Sequence, residues 1–87
     1  MRLKHDIVML GYLSNGLGFY RFVYNGGRTA YVGVMAQEVQ TVMPKALVRD
    51  RDGYFEVLYD RLGVPFETYD RWVASGARIP SISQGPE

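Results

Sequence analysis

The chain of 87 residues contains no cysteine. A disulfide framework is thereby excluded, and zinc-ribbon or iron–sulfur chemistry has no thiolate ligands to use. The absence fits a reducing compartment. No metal site and no cofactor are expected. A surplus of one charge is also missing, since ten basic and nine acidic residues leave a net +1 at neutral pH. Eight of the ten basic residues are arginines, and they are scattered along the chain. No basic patch suggests nucleic acid or a membrane surface as a partner, and neither is expected. Long apolar runs are lacking as well. None approaches the roughly 20 residues of a membrane-spanning helix. Ile7-Val8-Met9-Leu10 is too short for the apolar region of a signal peptide.

Aromatic residues, by contrast, are plentiful: seven Tyr, four Phe and one Trp make up 14% of the chain. A single domain of this size buries only about 60–65% of its unfolded surface, so its core is thin. Large rings partly offset that, and small domains often gain stability from a partner or from self-association.

The chain is organised around Tyr31-Val32-Gly33-Val34-Met35, which runs into Ala36-Gln37-Glu38-Val39-Gln40-Thr41-Val42-Met43-Pro44. The first part is apolar and β-branched and predicts a buried strand. From Met35 the apolar residues recur at three- and four-residue spacing, which predicts a short helix that Pro44 stops. Gly33, inside the strand, predicts a bulge or a close backbone approach. Gln37 and Glu38 stand at the strand–helix corner, where unpaired N–H groups favour a carboxylate. They read as a site or, more plainly, as helix N-terminal chemistry.

Ile7 to Leu10 is strand-like, or a linker packed on the core. Asn15-Gly16 predicts a turn. Gly16-Leu17-Gly18 has neither a third glycine nor a following Lys-Ser/Thr, so a phosphate loop is not favoured. Phe19 to Tyr24 alternates as a strand, with Tyr20, Phe22 and Tyr24 on one face and Phe19, Arg21 and Val23 on the other. Sheet packing explains these rings better than stacking on single-stranded nucleic acid, because no basic groove accompanies them. Asn25-Gly26-Gly27-Arg28 turns this strand into the central one as a hairpin. Asp50-Arg51-Asp52-Gly53 joins a second hairpin. It fails as a calcium loop, since Val48 and Tyr59 would occupy ligand positions. Asp60 is placed to cap a helix, which Gly63 and Pro65 then interrupt. A further short helix is predicted from about Thr68 to Ala74, with Phe66, Tyr69, Trp72 and Val73 on one face. Residues 77–87 read as a flexible tail after a domain spanning 1–76. The expected class is α+β: a small antiparallel sheet of hairpins with one or two short helices.

Several segments stand in a telling order. They are Arg2-Leu3-Lys4 before Asp6-Ile7, Val32 to Val39 with Met43-Pro44, Asp52-Gly53-Tyr54, and Val57-Leu58-Tyr59-Asp60-Arg61-Leu62. Together they resemble the C-terminal intramolecular chaperone domain of phage tail spikes and tail fibres, the peptidase S74 domain. The likeness covers roughly Arg2 to Leu62. The Gly-x-x-Ala-Gln-Glu-Val and Tyr-Asp-Arg-Leu segments are each modestly specific, and more so jointly with Arg-Leu-Lys. The resemblance implies a module that holds three fibre chains in register while they fold. Such a module then cuts itself off with a Ser–Lys dyad.

By the same resemblance Lys4 is the dyad lysine. A lysine can take a serine proton when burial lowers its pKa. The family serine belongs five residues earlier, two residues upstream of Met1, so this chain as it stands is expected not to cut itself. Ser14 lies in a turn and is no substitute. His5 stands beside Lys4, and reads most simply as an exposed polar residue. Structural or assembly roles are expected for Gln37, Glu38, Tyr59 and Asp60, which lie in the resembling segments, and for Trp72, which lies beyond them. The resemblance also implies a homotrimer, an upstream fibre or spike segment as partner, and a place in the bacterial cytoplasm during phage assembly or on the virion. Gly63-Val64-Pro65 breaks the long helix that family members carry, which puts trimerisation by a helical bundle in doubt. Phe66, Tyr69 and Trp72 then read as a smaller contact patch or as a cap on the domain's own core. Two other readings stay open: a self-cleaving endopeptidase truncated before Met1, and a free-standing small binding domain.

Overall fold

The alternating residues of Gly18–Tyr24 form β2, a strand with both faces covered. The computed structural model describes residues 3–81. In it β1 (Lys4–Tyr12), β2, β3 (Ala30–Gly33) and β6 (Glu67–Thr68) form one antiparallel sheet in the order β1-β2-β3-β6. A second, two-stranded sheet is the hairpin of β4 (Leu47–Arg49) and β5 (Phe55–Val57). Among the described residues there are three short α-helices, α1 (Ala36–Val42), α2 (Tyr59–Leu62) and α3 (Tyr69–Ala74), and a 3-10 turn at Pro44–Ala46. The fold is the predicted α+β class, with one helix more than expected.

Register sorts the side chains. Phe22 lies opposite Tyr31, and Lys4 lies opposite Tyr24, so these four share one face of the sheet. The other face carries Phe19 and Val32, and there Phe19 meets Trp72 of α3 at 5.7 Å between ring centroids. Both Phe19 and Phe22 are fully buried. Each contributes about 1.5–3 kcal/mol by leaving water. The main cluster continues through Val34, Val39, Leu62 and Val64.

β1 departs most from its expected length. It runs the whole edge of the sheet, with register shifts between His5 and Val8 and between Met9 and Gly11. Asp6 there takes a left-handed φ of 52°. These irregularities hide the period of two on which strand recognition depends. Among the described residues no strand pairs with the outer side of β1.

At the predicted corner α1 starts after Met35 and stops at Met43, before Pro44. The Asp50 turn forms as expected. Asp50 Oδ1 accepts the N–H groups of Asp52 (2.9 Å) and Tyr54 (3.0 Å), and Gly53 supplies φ of 83°. Asp60 does not cap a helix. The cap position is Leu58, without a side-chain bond, and Asp60 sits exposed in the first turn of α2. Gly63 closes that single turn with φ of 80°. The supposed interruption is therefore a helix end that delivers Leu62 and Val64, both buried, to the core. α3 is capped by Thr68, whose Oγ1 accepts from Arg71 N–H at 3.1 Å. Phe66 and Val73 do not join its buried face. Val73 is exposed, and Phe66 stacks on Tyr31 at 5.1 Å across the sheet. Of the expected tail, Ile79 packs against the core and the Arg78 carbonyl accepts from Trp72. Residues 82–87 lie outside the described residues.

Candidate functional site

Lys4 opens β1, and its pairing with Tyr24 turns its side chain onto the aromatic face of the sheet. Its ammonium lies 4.2 Å from the centre of the Phe22 ring and 5.8 Å from that of Tyr24. Nζ donates to the Val34 carbonyl at 3.3 Å and lies 4.0 Å from Met35 Sδ. Among the described residues no carboxylate oxygen comes within ion-pair distance of it. A buried amine without a counter-charge is driven toward its neutral form. Burial accordingly lowers the Lys4 pKa from 10.5 to about 8.

Lys4 stands in the wall of a cleft of about 470 Å³, between the aromatic face and the β4–β5 hairpin. Tyr24, Phe55, Tyr59 and Phe66 supply its rings, and Asp50 and Glu56 its carboxylates. Tyr59 enters at the first residue of α2. Its hydroxyl accepts the Val34 N–H at 3.1 Å, and burial pushes its pKa up to about 12. Gly33 makes room for it, because a Cβ there would collide with the Tyr59 hydroxyl. The predicted close approach at Gly33 is this one.

Glu38 forms a second constellation. Its Oε1 accepts the Gly18 N–H at 2.9 Å, and its Oε2 accepts from the Tyr20 hydroxyl. That bond to Glu38, ahead of burial, pushes the Tyr20 pKa up to about 12. The carboxylate thus ties the first turn of α1 to the start of β2. Gln37, its neighbour, is exposed and makes no side-chain hydrogen bond among the described residues. Trp72 is buried, with Nε1 donating to the Arg78 carbonyl at 2.7 Å, so it caps the domain's own core. His5 faces away from Lys4's partners and pairs with Asp6 at 3.0 Å, both side chains exposed.

The structure therefore brings Lys4 and Tyr59 together at Val34, and leaves Glu38, Asp60 and Trp72 in separate surroundings. Sequence reasoning pointed to Lys4 and Tyr59 only through family likeness. Gly33 was the signal in the residues themselves that something closes on the strand. As chemistry, the cleft holds an amine that is partly neutral near physiological pH, beside aromatic walls. This suits proton abstraction from a neighbouring hydroxyl.

Comparison with known proteins gives one assignment. The family model for Peptidase_S74, described as chaperone of endosialidase, matches residues 1–48. That span includes Lys4, Val34, Gln37 and Glu38, and stops short of Tyr59. Neither the curated proteins nor the solved structures gave a match. The matched span is more than half of the chain, and carries the strand–helix corner and the lysine described above: the chain belongs to the peptidase S74 family, the chaperone of endosialidase.

Proposed function

We propose that this chain is the folding and assembly module of a phage or prophage tail fibre or spike, acting as a homotrimer beside an upstream fibre segment. Family membership supports a chaperone of a tail protein. The observation that carries the assembly role is β1. It is an edge strand on which Ile7, Val8 and Met9 expose 43–50% of their surface, flanked by the more exposed Leu3 and Tyr12. Apolar side chains gathered on an open edge favour contact with another chain. Further copies of this chain are the proposed occupants. The test is the solution mass by light scattering over a range of concentrations. A concentration-stable trimer is expected, and a monomer throughout would overturn the reading.

The Lys4 cleft favours a second activity, self-cleavage with Lys4 as the base. The serine hydroxyl would give its proton to the neutral Lys4 amine while its oxygen attacks the scissile backbone carbonyl. The C–N bond then breaks as Lys4 passes that proton to the departing amine, and water hydrolyses the resulting ester. No serine stands between Met1 and Lys4. The experiment therefore places a carrier ending in Ser-Asp directly before Met1. Release of the carrier, lost on Ser→Ala and on Lys4→Met, is expected. An intact fusion of folded protein would count against the base role.

A further inference from the structure

The Lys4 amine and the Tyr59 hydroxyl meet at a single residue. Nζ donates to the Val34 carbonyl, and Tyr59 Oη accepts from the Val34 N–H. The backbone of Val34 is thus held at both polar ends by side chains from β1 and α2. Nothing about a one-turn helix requires its first residue to reach this far. The approach is possible because position 33 has no side chain. The Tyr59 ring also leans on Phe66 at 5.1 Å and forms part of the cleft wall beside Lys4.

We propose that Tyr59 is a positioning residue for Lys4, acting through Val34. Its hydroxyl holds the Gly33–Val34 peptide by the Val34 N–H, and so fixes the backbone from which the next peptide, Val34–Met35, offers its carbonyl to the Lys4 amine, while its ring walls the same cleft. The inference rests on reading Lys4 as a base, which must be neutral to act. It also extends the site beyond residues 1–48, the span matched by the family model. The titratable and charged groups around the cleft are Tyr24 from β2, Asp50 and Glu56 from the hairpin, and Tyr59 from α2. On β1 itself, His5 and Asp6 pair with each other. With no carboxylate in ion-pair contact with Nζ, the balance at Lys4 is set by access of water and by the Val34 carbonyl.

The test uses the full chain and its two lysines, Lys4 and Lys45. The side-chain Cε resonances are followed by NMR against pH, and Lys45→Arg assigns them. In the native protein the Lys4 midpoint is expected near 8. Tyr59→Phe keeps the ring but leaves the Val34 N–H unpaired, so the backbone at Val34 loosens, the adjoining Val34–Met35 carbonyl shifts with it, and water reaches the amine. The Lys4 midpoint should rise by about one pH unit or more, a roughly tenfold loss of neutral amine near neutrality. Gly33→Ala, which displaces the hydroxyl while retaining it, should move the midpoint the same way, and supplies the readout should Tyr59→Phe not fold. A purely structural Tyr59 would lower the melting temperature in both variants and leave the midpoint in place. A folded variant with an unmoved midpoint overturns the inference while the base reading stands. A native midpoint in the ordinary lysine range overturns both.

Discussion

Removing the carboxylate of Glu38 takes a partner from two groups at once, the Gly18 N–H and the Tyr20 hydroxyl. Gly18 is buried at the start of β2, so its N–H cannot simply turn to water. An unmet buried donor costs about 1–3 kcal/mol. Glu38→Ala should therefore lower the melting temperature by roughly 5–10 °C, as read by calorimetry. Glu38→Gln keeps an acceptor for Gly18 and should lose less. An unchanged melting temperature in Glu38→Ala would sink the clamp. The sequence placed a carboxylate at a helix start, and the helix is there. Its partners stand 18 and 20 residues earlier, and neither periodicity nor capping rules reach across that gap. The same limit applies to Lys4. Its burial comes from Phe22 on the strand β1 pairs with, and from Val34 and Met35, which follow β3 into the corner before α1. Gln37, equally prominent in the sequence, is left on the surface.

Elements with a clean period or a turn residue of fixed geometry were legible. β2, the β2–β3 hairpin, α1 with its Pro44 stop, the Asp50 turn and α3 with Thr68 all stand close to where their residues put them. Elements defined by what they pack against were not. β6 has two residues and exists because β3 offers an edge. α2 is one turn long and looked like a broken helix, since Gly63 ends it where a longer family helix was expected. β1 is the most consequential of these. Its two register shifts and the Asp6 kink blunt the backbone edge against open-ended pairing, while its apolar side chains stay available. Association through side chains should thus be sensitive to charge on that strand. The double variant Ile7→Lys/Val8→Glu changes two exposed positions and should leave the melting temperature of dilute protein within a few degrees. By sedimentation it should shift the population from the proposed trimer to monomer. A trimer that survives both charges would move the interface away from β1.

The whole molecule is a slab, 40 × 36 × 17 Å. A body so flat keeps few side chains far from water. Contact between copies would add buried area where the single chain has least. The proposed assembly should therefore also appear as a melting temperature that rises with protein concentration. The two faces of the slab are organised differently. One holds the Lys4 cleft and its aromatic walls, and the other holds Phe19 under Trp72. Trp72 is the chain's single tryptophan. Its indole is tethered to the Arg78 carbonyl, so its fluorescence is a built-in optical gauge of whether the segment after α3 is docked. Undocking would let water reach the ring and redden its emission, while events confined to the cleft on the opposite face would leave the colour unchanged. Changes in the Lys4 cleft and undocking of the segment after α3 can thus be told apart in the same cuvette, without a label.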